Sequence, residues 1–295
     1  MNLLEFRNVG RGFGGTAVLA DIAFAVTTGE VVGLLGRNGA GKTTLINLVM
    51  GMLAPDSGSV RVFGQDPRVE PVAVRRRIGY VAEDQELPPF LKVGEVLALH
   101  RRLFPGWDEA AADELCGRFA LPLGRRVSDL SRGQARQVAL LCAVSHRPEL
   151  LILDEPAGGL DPAARREFLE TSIRLLNETG STILFSSHHM GDVERMASRL
   201  IMIHETKKWI DSALDEIRDG YCLALVPADS TTPEELLALD ACLCVRRRGQ
   251  ALHAVFAVAP AACQTTVERA LGRGGVRCRP LPLEDMFIEL VGRDA

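Results

Sequence analysis

The chain has 295 residues, of which 47% are hydrophobic, and carries a formal net charge of −4 at pH 7. This length and composition predict a globular protein with one large and one small domain, or two of medium size. The weak negative charge gives no reason to expect nucleic acid or an anionic membrane surface as a partner. No apolar run approaches the ~20 residues of a membrane-spanning helix.

The N-terminus and the cysteines both predict a protein of the cytosol. The opening segment MNLLEFRNVG carries an early acid and lacks a signal-peptide core. The seven cysteines are scattered and include no CxxC pair. We therefore expect reduced core thiols rather than a metal site or a disulfide framework.

The first strong motif is the glycine-rich segment GRNGAGKTT at residues 36–44. The run Val31–Leu35 before it predicts a buried strand, and the run Leu45–Met50 after it predicts the start of a helix. A glycine-rich loop at this position turns backbone N–H groups towards a polyphosphate. Lys42 would reach the β- and γ-phosphates, and Thr43 would hold Mg²⁺. The predicted nucleotide contacts are Gly36, Asn38, Gly39, Ala40, Gly41, Lys42, Thr43 and Thr44.

Apolar strand-like runs alternate with amphipathic helical stretches over residues 1–210. This alternation predicts an α/β domain with a largely parallel sheet. Its strands after the first are predicted at Leu150–Leu153, Thr182–Phe185 and Leu200–Ile203. The signals between about 88 and 147 are mostly helical and predict a helical insertion.

After residue 210 the pattern changes to short strands interleaved with helices, which predicts a small α+β domain over 211–295. The predicted strands are Cys222–Val226 and Leu252–Val258, and the predicted helices are Pro233–Leu239 and Ala262–Leu271, followed by a final segment Leu283–Val291.

Two adjacent acids follow the apolar strand LLIL at residues 150–153. Asp154 is placed to hold the Mg²⁺ shell beside the phosphate loop, and Glu155 to orient or deprotonate water. An ordinary strand-end turn is the alternative for this segment alone. Because the chain also carries the phosphate loop, we favour a catalytic pair.

A second phosphate-binding motif is predicted at Leu130–Gln134, where LSRGQ opens a helix. Its serine hydroxyl and helix-start N–H groups can grip a γ-phosphate. With this segment, residues 3–205 resemble the ATP-binding subunit of an ABC transporter. The resemblance implies a P-loop NTPase (RecA-like) core with an antiparallel β edge and a helical subdomain. It also implies that Ser131, Gly133 and Gln134 complete the ATP site of a second subunit in a head-to-tail dimer around two ATP.

Further positions match the family one by one. The segment Gly159–Pro162 resembles the D-loop, so Asp161 is expected near the dimer's nucleotide sites. His188 resembles the switch histidine that contacts the γ-phosphate, and the Ser-Ser-His register favours it over His189. Phe13 stands where the family stacks an aromatic ring on adenine, although an isolated phenylalanine commonly packs in a core.

The chain departs from the common family pattern at two positions. Glu83 stands where most members have glutamine, and its carboxylate could reach Mg²⁺ directly or through water. Arg132 replaces the commonest glycine of the signature, while Ser131 and Gly133 remain. We expect both sites to stay active.

The leading hypothesis is an ATPase that drives an exporter through a separate transmembrane permease, at the cytoplasmic face of the membrane. The pattern of a short-insert ATPase with a small C-terminal domain, which ends in Leu283–Leu290, resembles export-type (ABC-2) subunits of bacteria. The alternative is an ABC ATPase that acts in translation or DNA maintenance, but there is one cassette, no sustained heptad pattern and no basic stripe. A small-molecule kinase would leave Leu130–Gln134 and His188 without a role. The sequence leaves open the transported substrate and the choice between homodimer and heterodimer.

Overall fold

The computed structural model describes residues 2–84, 86–229, 231–272 and 274–291. The chain divides into two compact units, Met1–Asp211 and Ser212–Ala295. The strands up to this division are β1 (Asn2–Phe13), β2 (Thr16–Thr27), β3 (Val31–Leu35), β4 (Ser57–Val62), β5 (Ile78–Val81), β6 (Leu150–Leu153), β7 (Thr182–Ser187), β8 (Arg199–His204) and β9 (Lys207–Ala213). The helices are α1 (Lys42–Val49), α2 (Pro71–Arg75), α3 (Val93–Leu103), α4 (Glu109–Arg118), α5 (Arg132–Val144), α6 (Pro162–Thr179) and α7 (Met190–Met196), with a short 3-10 turn at Val127–Asp129.

A six-stranded sheet with the order β5-β6-β7-β3-β8-β9 forms the centre of the first unit. The neighbours from β5 to β8 run parallel. Strands β6 and β7 are buried along their whole length, as expected for a parallel sheet covered on both faces. Their carboxyl ends meet at one edge, where Leu153 pairs with Phe185 and Leu35 pairs with Ser187. This edge receives the phosphate loop and the acidic pair.

An antiparallel sheet with the order β2-β1-β4 shares one hydrophobic core with the parallel sheet. Phe6 and Phe24 stack in this core with ring centroids 4.6 Å apart. Apolar side chains of α1, such as Leu45 and Leu48, lie in the same core. The loop that ends at α1 is therefore supported by both sheets.

The chain between β5 and β6 is helical, as predicted, and comprises α3, α4, the 3-10 turn and α5. Helix α5 packs on α3, α4 and β5. His146, just after α5, is buried, with Nε2 3.2 Å from the carbonyl oxygen of Ile78. Its ring stacks on Phe104 at 4.1 Å. These contacts tie the helical segment to the parallel sheet.

The second unit is a four-stranded antiparallel sheet with helices, in the order β11-β12-β10-β13. Its elements are α8 (Leu214–Gly220), β10 (Cys222–Pro227), α9 (Pro233–Leu237), β11 (Cys242–Arg248), β12 (Ala251–Phe256), α10 (Pro260–Leu271), β13 (Arg277–Pro280) and α11 (Leu283–Val291). Alternate residues of β10 and β12 fill a separate core with α9 and α10. Within the described ranges of the whole chain, no helix combines the length and apolarity that crossing a membrane requires.

The structure differs from the sequence-based expectation at element ends and at edge strands. Helix α1 begins at Lys42, three positions before the predicted Leu45, because Gly41 closes the loop directly onto the helix. Strands β11 and β13 were not predicted. Both lie at the edges of their sheet, and β11 is half-buried or exposed along its length, so neither shows an alternating apolar pattern.

Candidate functional site

The loop at residues 36–44 joins β3 to α1 in a shape that depends on glycine. A Cβ on Gly36 would lie 2.7 Å from the carbonyl oxygen of Ile203. Gly41 caps α1 with φ of 103°, and a Cβ there would lie 2.7 Å from a methyl carbon of Leu19. Gly39 also has a positive φ, 83°. Since no side chain fits at Gly36 or Gly41, the backbone at the N-terminus of α1 can approach an anion closely.

Lys42 lies beneath this loop and is almost fully buried. Its Nζ donates to the carbonyl oxygen of Gly36 at 2.7 Å and to that of Arg37 at 3.3 Å. The same nitrogen lies 3.1 Å from Oε1 of Glu155. The ammonium therefore sits between the phosphate loop and the acid that follows β6, where an incoming phosphate can reach it.

One serine hydroxyl holds both acids. Ser186, near the end of β7, donates from Oγ to Oδ1 of Asp154 at 2.6 Å. The same Oγ accepts from the backbone N–H of Glu155 at 2.8 Å. The backbone N–H of Asp154 also donates to the carbonyl oxygen of Val81 at 2.8 Å. Glu155 has a positive φ of 44°, which turns its side chain away from the strand direction.

The pKa values of two carboxyl groups at this site, Asp154 and Glu83, are raised. Burial raises the pKa of the Asp154 carboxyl, although hydrogen bonds from Ser186 and Thr43 oppose the change. Partial burial, followed by the charges of Glu155 and Asp154, raises the pKa of Glu83, while Lys42 opposes this. Three acids therefore surround one ammonium, a charge balance that favours an added cation.

Glu155 is held from its other side by a histidine. Its Oε2 lies 2.8 Å from Nδ1 of His188, which is half-buried. Its Oε1, beside Lys42, has no partner with hydrogen-bond geometry within the described chain. The structure thus brings His188 to the acid, whereas His189 uses its backbone N–H to bond Oγ of Ser187 at 2.9 Å.

The signature segment forms a reciprocal cap at the start of α5. The backbone N–H of Gln134 donates to Oγ of Ser131 at 3.2 Å, and the backbone N–H of Ser131 donates to Oε1 of Gln134 at 3.1 Å. Asp161 caps α6 by a single bond, with Oδ1 accepting from the N–H of Ala164 at 3.1 Å. Both segments present ordered helix starts.

A cavity of about 680 Å³ lies between these segments and the loop after β5. Its lining residues come from that loop, from α5, from the D-loop and from the switch position, namely Glu83, Asp84, Glu86, Arg132, Ala135, Arg136, Gly158, Gly159 and His188. Arg136 donates to the carbonyl oxygen of Ala82 and so fixes the loop that carries Glu83. Sequence reasoning missed Arg136, because nothing in its local pattern indicates this distant partner.

Phe13 lies at the surface with 45% of its area exposed, so it is not a core residue. The guanidinium of Arg11 lies 4.6 Å from the ring centroid. Asp56 holds Arg11 at 2.6 Å and accepts from the N–H of Gly12 at 2.7 Å. These contacts fix the end of the β1–β2 hairpin that carries the ring.

The structure brings one group of the predicted residues into direct contact: Lys42, Thr43, Asp154, Glu155 and His188. Glu83 lies near this group, because the charges of Glu155 and Asp154 add to burial in raising its pKa. Gly133 lies in the first turn of α5, beside the capping pair Ser131 and Gln134. The role of Ser186 was not predicted, although a serine pair at the end of a strand was a visible signal.

Comparisons with known proteins agree with this geometry. A family model described as ABC transporter matches residues 19–158. The Nod factor export ATP-binding protein I of Burkholderia lata is 33% identical over 309 residues, covering 99% of this chain and 97% of that protein. The chain belongs to the family of ABC transporter ATP-binding proteins.

Two further matches extend this finding. The ABC transporter ATP-binding protein YtrB of Bacillus subtilis is 31% identical over 219 residues, covering 74% of this chain and 75% of that protein. A solved structure of an ATP-binding subunit of an ABC transporter aligns with a TM-score of 0.66 at 32% identity, covering 73% of this chain and 92% of that one.

Membership confirms several predictions made from the sequence. The fold is the α/β P-loop fold of ABC ATPases. The chain is an ATP-binding subunit of an ABC transporter, and its domain hydrolyses ATP to drive transport. The alternative of a translation or DNA-maintenance ATPase is not favoured.

The bridge made by Ser186 generates a testable prediction for this ABC ATPase. Ser186→Ala removes the group that orients Asp154 and Glu155, so ATP turnover should fall by about 10–100-fold. Ser172→Ala is a matched control, because the hydroxyl of this buried serine donates to the carbonyl oxygen of Phe168 in its own helix. Phosphate release and circular dichroism measure activity and folding. Equal turnover in the two folded variants would contradict the assigned role.

Proposed function

We propose that this chain is the ATPase of an exporter whose membrane-spanning permease is a separate polypeptide. It would act at the cytoplasmic face of the membrane, with residues 1–210 as the ATPase domain and 211–295 as an accessory domain. The observation that carries the proposal is the buried contact of Lys42 and His188 with Glu155 beside the phosphate loop. The export direction is supported by the name of the Burkholderia lata relative.

Mg²⁺ is the cation that suits the donors of the site. The hydroxyl of Thr43 and the carboxylate of Asp154 are hard oxygen ligands, and Glu83 can add a third, directly or through water. Burial raises the pKa values of Asp154 and Glu83, and the charge of Glu155 adds to the rise in both. A divalent ion would relieve this repulsion. When bound, Mg²⁺ would neutralise charge on the phosphates.

The buried cluster assigns distinct roles to the residues around ATP. Lys42 would hold the β- and γ-phosphates, and the loop N–H groups would cradle them. Glu155 would take the proton of the attacking water as the general base. His188, which already bonds Glu155 at 2.8 Å, would keep that carboxylate aimed and contact the γ-phosphate. Phe13, exposed and fixed on its hairpin, would stack on adenine.

The signature segment supports a site shared between two subunits. Ser131, Gly133 and Gln134 form an ordered helix start, yet none of them is among the residues in contact with Lys42 and Glu155. We therefore assign this helix start, with Asp161, to the ATP bound by a second subunit. The second subunit is either another copy of this chain or a paralogue.

The loop after β5 and the following helices are the proposed contact with the permease. Phe90 is 71% exposed, although backbone bonds such as Ser128 N–H to the carbonyl oxygen of Pro89 at 3.1 Å fix its loop. Leu99 and Leu103 of α3 are also exposed. Leu87 of the same loop is buried and is not part of this surface. An apolar surface on an ordered segment suits a partner protein, and the permease is the partner that transport requires.

One prediction of this proposal concerns Glu155 as the general base. Glu155→Gln should lower ATP turnover by about 10²–10⁴-fold and leave ATP binding nearly intact, because it removes only the proton acceptor. Glu170→Gln is the control, since Glu170 pairs with Arg166 at the surface of α6. Phosphate release and nucleotide binding are measured on both. Normal turnover in the Glu155 variant would exclude it as the base.

The second prediction concerns the shared site. Lys42→Ala and Ser131→Arg should each inactivate a homodimer, but mixing them should restore activity. A mixed dimer keeps one intact site, made from the loop of one subunit and the signature of the other. Random pairing would return up to about a quarter of wild-type phosphate release. If sedimentation shows mixed dimers and activity stays absent, each site is built within one chain.

The third prediction concerns the permease surface. Phe90→Asp should reduce recovery of the membrane subunit with the tagged chain, because it charges an apolar contact, while phosphate release by the isolated chain persists. Val72→Asp is the control, since Val72 is 62% exposed on α2. Unchanged recovery with Phe90→Asp would move the permease contact elsewhere.

A further inference from the structure

Three cysteines that are distant in the sequence meet in the second unit. Cys222 lies on β10, Cys263 on α10 and Cys278 on β13. Their sulfur atoms all lie within 4.8 Å of one another. Cys222 and Cys263 are fully buried, and Cys278 is half-buried. The nucleotide site uses none of them.

The fold creates this meeting point through strand register and helix packing. Strand β10 pairs with β13 so that Cys278 lies opposite Ala224, two residues from Cys222 on the same face. Helix α10 packs against both strands. It buries Cys263 and Val267, one turn apart, in the core over that face. The expectation of thiols without a metal site rested on the missing CxxC spacing, which this arrangement does not need.

The two buried cysteines lie in a largely apolar core. The core around them contains Val226, Leu252 and Phe256. Among the described histidine, aspartate and glutamate residues, none joins the sulfur cluster. The donor set is therefore three soft sulfur atoms, two of which belong to fully buried cysteines. A disulfide could engage only two of them.

We propose that these cysteines bind one thiophilic d¹⁰ metal ion, and that the ion is Cu(I). Thiolate ligands select Cu(I) and Zn(II). Structural zinc sites are closed by four ligands, whereas Cu(I) is satisfied by three thiolates. Metal–sulfur bonds of about 2.3 Å place the sulfurs of a planar three-ligand site roughly 4 Å apart. That spacing agrees with the 4.8 Å limit found here.

Binding would change the second unit in two ways. Each coordinating thiol would release its proton to solvent. Three thiolates with one Cu(I) carry a net charge of −2, and the half-buried position of Cys278 leaves this charge partly open to solvent. The ion would also join β10, α10 and β13 by bonds to the three cysteines. Because the ion binds only the folded arrangement, it should stabilise this unit against unfolding, by an amount that grows with the logarithm of its concentration relative to Kd.

The test uses the full chain, reduced and handled without oxygen. Cu(I) is titrated in the presence of a competing chelator that forms a coloured Cu(I) complex. We expect one Cu(I) per chain to be withheld from the chelator and the thermal midpoint to rise. Cys263→Ser and Cys278→Ser should both lose this retention. Cys244→Ser should keep it, since Cys244 lies on β11 and its thiol faces the carbonyl oxygen of Glu289 at 3.5 Å.

Cys278→Ser is the decisive variant because its half-buried position tolerates a hydroxyl better than the buried Cys263. Circular dichroism and ATP binding establish that it is folded. The proposal is overturned if the wild-type chain withholds no Cu(I), or if folded Cys278→Ser withholds as much as Cys244→Ser. A parallel titration with Zn(II) and a coloured zinc chelator tests the choice of ion. Retention of Zn(II) without Cu(I) would overturn the three-coordinate copper assignment.

Discussion

The nucleotide site depends above all on the hydroxyl of Ser186. Because β6 and β7 run parallel with Leu153 beside Phe185, this hydroxyl falls between the two acids that follow β6. It donates to the side chain of Asp154 and accepts from the backbone of Glu155. A single group can do both because a hydroxyl is donor and acceptor at once. The register of two central strands thus sets the direction of both carboxylates.

The buried ion pair of Lys42 and Glu155 depends on the polar groups around it. Lys42 and Glu155 are each about 6% exposed, and burying such a pair is costly unless other polar groups complete its surroundings. Here two loop carbonyl oxygens accept hydrogen bonds from the ammonium of Lys42, and the ring of His188 bonds the carboxylate of Glu155. A phosphate that enters the loop competes with Glu155 for the same ammonium. Nucleotide binding would therefore be coupled to loss of the contact between Lys42 and Oε1 of Glu155.

Local motifs predicted the parts of the site that lie within short stretches of sequence. The loop at 36–44, the acids after β6 and the signature segment all have spacing that follows from local backbone geometry. Ser186 and Arg136 could not be assigned in this way, because their partners depend on strand register and on packing between elements. The loop after β5 shows the same limit, since the burial of Leu87 close to an exposed Phe90 depends on tertiary contacts.

The strands of the fold were predictable where the sequence has a continuous apolar run. They were not predictable at the edges of a sheet, where exposed strands lack such a run. The buried strands β3, β6 and β7 are continuous apolar runs, so they were recognised. Strand β13 has four residues, two of them arginine, and its pairing with β10 leaves no periodic signal. The cluster of Cys222, Cys263 and Cys278 depends on that pairing. It was therefore invisible before the sheet was known.

Ser131, at the start of α5, has one role in folding and a separate proposed role in binding phosphate. The Oγ of Ser131 accepts the N–H of Gln134, which secures the helix end, while its hydrogen remains available to donate. Aspartate would secure the helix equally well, yet it would meet a phosphate with a like charge. With the shared site proposed above, one such substitution would silence the ATP site of the neighbouring subunit and leave both the helix and this chain's own phosphate loop intact.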